Sequence, residues 1–227
     1  NEKEHFKRLN QYFTKSRLGY DFILYGAKHF GFYPKHRKIS ERTAQNLMHD
    51  LVGKRLRLGK TMEVLDAGCG QGVVSTYIAK KFGCKIEGIT MLPFEIEDAT
   101  KLAEKIGVSD KVRYSLMDYS NMKFSNNYFD RIYTIETLCH STDIRKTIGE
   151  FFRVLKKDGR VAFFEYNIAD DKRFNDYELG IINKIIYFTA SPSLKEFRPN
   201  SFEKILEYVG FKNVRSDDVT ENFKPSL

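Results

Sequence analysis

The chain has 227 residues and a mass of 26.5 kDa, the size of one α/β domain with a substantial core and cramped for two. It is 41% hydrophobic and 30% charged, and no apolar run approaches the roughly 20 residues of a membrane span, which argues against an integral membrane protein. The net charge of +8 is uneven: residues 1–60 hold 14 Lys/Arg against 5 Asp/Glu, a balance that fits a solvated helix face, nucleic acid, an anionic membrane surface or an acidic substrate.

Taken in chain order, residues 4–57 read as mainly helical with a break around 31–34. Ser40 is the expected N-cap of a helix whose apolar positions include Ala44, Leu47, Met48 and Leu51. Aromatic residues crowd the first part, from Phe6 and Tyr12 to Phe32 and Tyr33. From residue 61 the pattern alternates: strand 61–66, helix 73–82, strand 85–90, helix 94–106, strand 111–116, strand 129–135, helix 143–155 and strand 160–166. Strands separated by helices of this length indicate a parallel sheet of right-handed βαβ units, hence a doubly wound, Rossmann-like α/β fold. Helices are expected over 175–190 and 201–209, the second closed by Gly210, and a last strand over 211–219. The organisation is a single domain, with a helical N-terminal lid over 1–60 and a core over 61–227.

The three cysteines, Cys69, Cys84 and Cys139, are scattered and form no C-x-x-C pair, and no Asn-x-Ser/Thr site occurs. A reducing, cytoplasmic setting is the expectation. The five histidines (His5, His29, His36, His49, His140) show no ligand spacing with each other or with cysteine, so no metal site is expected.

Residues 63–72 read E-V-L-D-A-G-C-G-Q-G, a strand running into glycines and then a helix. Open α/β sheets bind ligands at the carboxyl ends of their strands, which makes this turn the expected cofactor site. A dinucleotide fingerprint would put its third small residue at Val73 and an acid near Gly88, so it does not fit. The Gly59-Lys60-Thr61 run has Lys54 where a P-loop needs glycine, and it precedes the strand. What remains is a loop of Gly68, Gly70 and Gly72 under a ligand with no pyrophosphate.

This loop resembles the first motif of the class I S-adenosylmethionine-dependent methyltransferases, D/E-x-G-x-G-x-G. The resemblance extends over residues 61–166 through Gly88-Ile89-Thr90, Asp118-Tyr119, Phe129-Asp130 and R-V-L-K-K-D-G-R from Arg153. It implies S-adenosylmethionine as cofactor, with Gly68, Gly70 and Gly72 beneath its methionine and ribose parts. It implies Asp118 accepting from the adenine amino group, with Tyr119 beside it. Where many members have an acid for the ribose, this chain has Thr90 followed by Met91, which are expected to substitute with nearby backbone groups. Asp66 is expected to anchor the glycine loop, and Asp130 to cap backbone amides at a strand start.

On the acceptor side, residues 134–142 read T-I-E-T-L-C-H-S-T and residues 162–166 read A-F-F-E-Y. This pair resembles the sterol 24-C-methyltransferases, as does Tyr25-Gly26-Ala27-Lys28-His29-Phe30-Gly31-Phe32 near the N-terminus. The resemblance implies Glu136 and His140 beside the acceptor, as base or as stabiliser of a developing cation, with Glu165 nearby and Tyr25 and Tyr166 as wall. The implied reaction is methylation of a small lipophilic acceptor, an isoprenoid or sterol-like alkene; the lysines and arginines of the N-terminal lid are expected to face solvent or an anionic membrane that presents it. O- or N-methylation of a sugar, phenol or amine stays open, as does a non-catalytic basic binding module. A nucleic-acid amino-methylating enzyme would carry N/D-P-P-Y/F where this chain reads I-E-T-L from Ile135, so no nucleic-acid substrate is expected. The sterol enzymes continue beyond the point corresponding to Leu227, which is compatible with a truncated sequence or a smaller acceptor.

Overall fold

The computed structural model describes residues 2–35, 37–198 and 200–226. Two helices, α1 (Glu2–Ile23) and α2 (Glu41–Leu56), precede β1 (Glu63–Ala67), α3 (Val73–Phe82), β2 (Lys85–Thr90), α4 (Pro93–Ile106), β3 (Val112–Leu116) and β4 (Phe129–Ile135). A 3-10 turn at Leu138–His140 leads to α5 (Ile144–Val154), β5 (Leu155–Phe164), α6 (Asp176–Phe188) and α7 (Ser201–Val209). The strands form one parallel sheet in the order β3-β2-β1-β4-β5, the expected doubly wound arrangement. The order reverses between β1 and β4, and this crevice is where an open sheet takes its ligand.

Local chemistry sets the helix ends. Ser40 caps α2 by accepting from Thr43 N at 3.3 Å, and Asp143 caps α5 by accepting from Lys146 N at 3.0 Å. Successive strand residues then point to opposite faces. Val64, Ile86 and Tyr133 pack with Met48, Val52 and Ile78 under α2 and α3, while Leu65, Ala67 and Ile132 pack with Ile148 and Phe151 under α5. Burial on both faces is why these strands read as nearly continuous apolar runs. Asp130 takes its expected structural part, accepting from Glu63 N at 2.8 Å and pairing with Lys156 at 2.8 Å.

Two expectations need correction. The break between the first helices runs from Leu24 to Ser40, longer than 31–34. The strand expected over 211–219 does not form; the segment is irregular and has no ladder partner. Asn213 is left-handed at φ 57°, which interrupts an extended run, and Asp217 is drawn to Arg55 at 2.5 Å. Phe211 and Val214 instead share an open groove with Val161 and Phe163 of β5, and among the described residues no strand pairs with the outer edge of β5.

Candidate active site

The glycine loop leaves the end of β1 and enters α3. Gly68 N and Cys69 N both donate to Ile89 O, at 2.9 and 3.0 Å, tying the loop to the end of β2. Asp66 is buried in β1, one carboxylate oxygen has no hydrogen-bond partner, and burial pushes its carboxyl up to about 7 against the lowering effect of the Tyr133 and Ser75 side chains beside it. Gly68 has φ 93°, and a Cβ there would lie 2.3 Å from Thr137 Oγ1, so this glycine is required by packing. Gly70 differs: at φ 51° its missing side chain faces space whose nearest atoms, Glu95 Oε1 and Lys28 Cδ, lie 3.9 Å away. Gly72, left-handed at φ 76°, is the N-cap of α3.

At the end of β2 the Thr90 hydroxyl donates to Glu95 Oε2, and Thr90 Oγ1 accepts from Leu92 N at 3.2 Å. Glu95 is buried in the first turn of α4. Sequence reading missed it because an acid in a first helical turn, two residues after proline, ordinarily serves the helix dipole. Met91 lines the same cavity. Asp118 follows β3 and accepts from Ser120 N at 2.7 Å through Oδ1. Tyr119 donates to Thr137 O at 3.0 Å and packs its ring on Phe151.

The roof is α1. Glu2, His5, Leu9 and Phe13, a helical stripe, line a cavity of about 120 Å³ together with Asp66, Gly68, Gly70, Thr90, Glu95, Asp118, Tyr119, Glu136 and His140. The helix is tied across the glycine loop by Arg17 to Asp98 at 2.7 Å and by Gln71 Nε2 donating to Asp21 Oδ1 at 3.0 Å. Lys28, in the loop after α1, reaches in to pair with Glu95 and lies over the Phe13 and Phe94 rings at 4.8 and 5.4 Å. Neither Lys28 nor the α1 stripe was singled out from the sequence. The stripe has a signal, apolar residues at i, i+4; Lys28 has none, being one of many lysines.

Glu136 follows β4 in a left-handed conformation, φ 50°, which costs a non-glycine residue energy and is kept by its surroundings. Its carboxylate accepts from Phe30 N at 3.1 Å and from the Tyr166 hydroxyl. Burial pushes the group up to about 7, against the lowering effect of those two donors. His140 Nδ1 lies 3.0 Å from Ala190 O, which makes Nδ1–H the donor and leaves Nε2 an acceptor. Burial lowers the imidazole to about 4, so it is neutral near pH 7.

Glu165, expected beside the acceptor, is directed elsewhere. It accepts from Thr134 Oγ1 at 2.7 Å and from Leu138 N at 3.2 Å, holding the turn that carries residues 136–140. Tyr166 reaches Glu136 through its hydroxyl, but the residue is 41% exposed and lines the groove beside β5 instead of the cavity. Tyr25 is not brought to the cavity: it is 48% exposed with the Arg42 guanidinium 5.5 Å from its ring centroid.

Burial raises Glu165 to about 8, so between its unfolded pKa of about 4.3 and 8 the native state holds more protons than the unfolded one. Its contribution to stability is present at low pH and is lost as pH rises through 8. Glu165→Gln should therefore gain stability relative to wild type between pH 5 and 8.5, by roughly 1–3 kcal/mol, as measured by urea unfolding. A pH-independent difference would contradict this.

Among the described residues no group of three or more His, Cys, Asp or Glu could hold a metal ion; His36 lies outside them. His29 and His49 form a buried pair, Nε2 to Nε2 at 3.0 Å.

The residues present fit S-adenosylmethionine. The unpartnered Asp66 oxygen and the Asp118 and Glu95 carboxylates supply acceptors, and Gly70 leaves the floor open to backbone approach. A family model described as a methyltransferase domain matches residues 58–210. An S-adenosyl-L-methionine-dependent Diels-Alderase of Talaromyces variabilis is 28% identical over 220 residues, 93% of this chain and 74% of that protein. A sterol 24-C-methyltransferase of Pneumocystis carinii is 30% identical over 227 residues, 96% of this chain and 59% of that protein. Among solved structures, the geranyl diphosphate C-methyltransferase of Streptomyces coelicolor A3(2) superposes with a TM-score of 0.81 at 16% identity, covering 98% of this chain and 85% of that one. The chain spans 74%, 59% and 47% of the first three curated relatives.

Proposed function

Because the chain belongs to the methyltransferase-domain family, whose cofactor is S-adenosylmethionine, we propose that it transfers a methyl group to a carbon of an isoprenoid or sterol-like alkene. The observation that carries this reading is Glu136, a carboxyl poised near neutral pH in a cavity roofed by α1. When bound, S-adenosylmethionine supplies an electrophilic methyl group on a sulfonium. The chain's own residues do the rest. The α1 stripe excludes water, and Phe13, 5.3 Å from the His140 ring, already holds the Lys28 ammonium over its ring at 4.8 Å, the kind of aromatic contact that stabilises a cation. Alkene methylation leaves a carbocation, which must lose a proton to become product. A base matched to the working pH is the efficient one, which selects Glu136 over His140, whose low pKa makes it a neutral hydrogen-bond acceptor. Glu165 and Tyr166 position Glu136.

The names of the sterol methyltransferase and squalene methyltransferase relatives support this acceptor class. The Diels-Alderase relative, which this chain spans at 74%, favours a second reading, cyclisation with the cofactor retained. The test is incubation with methyl-labelled S-adenosylmethionine and a panel of sterols, linear terpenes, phenols, sugars and amines, followed by product mass. A product heavier by one methylene from an alkene, with stoichiometric S-adenosylhomocysteine, is expected. Methylation of only the phenols, sugars or amines would overturn the acceptor class, and an unchanged mass with a new ring would favour cyclisation.

Removing residues 1–23 should lower turnover by about 10²-fold or more through lost water exclusion and alignment, while leaving cooperative unfolding of the core. Normal turnover by the truncated chain would contradict the lid reading. Contact with an anionic membrane is supported by the basic first quarter and by apolar side chains left outside, Phe22 at 89% and Phe188 at 70% exposed. No helix among the described residues is long and apolar enough to cross one.

A further inference from the structure

The described lining of the cavity holds five carboxyl groups, Glu2, Asp66, Glu95, Asp118 and Glu136, and a single Lys or Arg, which is Lys28. S-adenosylmethionine carries two cationic centres, the sulfonium and the α-ammonium, and one anionic one, the α-carboxylate. The carboxyl groups of the wall serve the cations and the hydroxyl and amino donors, so the one anion has one complementary side chain. At present that side chain is engaged: the Lys28 ammonium pairs with Glu95, both side chains at least nine-tenths buried, between the Phe13 and Phe94 rings. Its Cδ lies 3.9 Å from where a Cβ on Gly70 would stand, so the stem crosses the glycine loop. With Lys28 there, the cavity measures about 120 Å³, below the roughly 300 Å³ at which ligand pockets begin. Moving the Lys28 side chain off Glu95 would open the space over Gly70. Lys28 sits in a loop where Tyr25, Gly26 and Lys28 are all left-handed, at φ 52°, 77° and 55°, a backbone kept by tertiary contacts and not by its own preference.

We propose that Lys28 exchanges partners on cofactor binding, leaving Glu95 for the α-carboxylate of the methionine moiety and freeing Glu95 to accept from the ribose hydroxyls. This rests on the cofactor assignment above. Lys28 is then a binding residue for the amino-acid end of the cofactor, and its ion pair with Glu95 is the resting position of the same group.

The experiment is calorimetric titration of the full chain with S-adenosylhomocysteine and with 5′-methylthioadenosine, which keeps the adenosine and thioether but lacks the whole α-amino-acid end, carboxylate and ammonium together. Lys28→Met should bind S-adenosylhomocysteine about tenfold more weakly, the loss of one charge-assisted contact, and should bind 5′-methylthioadenosine as well as wild type or better. Lys28→Arg should keep most of the wild-type preference, and Lys28→Gln repeats the test should the methionine variant fold poorly. Unchanged or tighter binding of S-adenosylhomocysteine by the Met and Gln variants would show Lys28 to be only a plug. Equal weakening for both ligands would show it to be only structural, and either result overturns the proposal. Failure of wild type to bind either ligand would instead overturn the cofactor assignment.

Discussion

Glu136→Gln is expected to cut turnover by about 10²–10⁴-fold, the range of a lost general base, with S-adenosylhomocysteine affinity unchanged. The amide oxygen can still accept from Phe30 N while its NH2 donates to the Tyr166 hydroxyl oxygen, in place of the two bonds the carboxylate accepts now, so the left-handed turn at residue 136 should survive. What is lost is proton capacity. In wild type, burial sets the group at about 7, and a base works only when ionised, so turnover should rise with pH through 7 and level off above it. That limb should be absent from the residual activity of the variant. Tyr166→Phe removes a donor that lowers the Glu136 pKa, so the limb should move to higher pH while the maximum rate is largely kept. A pH–rate profile of the three proteins decides the matter, and a wild-type limb preserved in Glu136→Gln would assign the base elsewhere.

Gly70→Leu should abolish cofactor binding, so that the rise in melting temperature produced by S-adenosylhomocysteine in wild type disappears. The free protein should stay folded: the nearest atoms to an added Cβ are 3.9 Å away, leaving only the cost of a left-handed non-glycine residue, roughly 1–2 kcal/mol. The branched remainder of the side chain has nowhere to go but the cofactor's space. Gly68→Ala is the contrast. Its Cβ would press on the Thr137 side chain, with the Oγ1 atom at 2.3 Å, so it should destabilise the fold by roughly 1–3 kcal/mol even without ligand. A full thermal shift retained by Gly70→Leu would show that the loop does not underlie the cofactor.

The order of strands and helices from residue 61 to 164 was legible in the sequence, because a sheet buried on both faces demands apolar runs and its crossovers demand helix-length spacers with glycine or cap residues at their ends. The glycine loop was legible for the same kind of reason: left-handed backbone in a strand-to-helix turn leaves few residue choices. The last strand was misread at 211–219, where apolar residues are present but pairing is not. Strand formation depends on a partner edge, which no local pattern supplies.

Tertiary structure decided which side chains share the cavity. Glu136 and Glu165 looked alike as strand-end acids, yet Glu165 is consumed by Thr134 and Leu138 N, whereas Glu136 lines the space under α1. Tyr25 and Lys28 lie three residues apart in one loop; its left-handed backbone leaves Tyr25 half exposed under Arg42 and sends Lys28 inward to Glu95. Glu95 and Lys28 are 67 positions apart, and nothing in either neighbourhood anticipates the other. Periodicity reports which face of an element is apolar, a local property of the chain. Which buried charges meet is set by how α1 and the loop after it close over the sheet, and that depends on contacts the sequence does not order by distance along the chain.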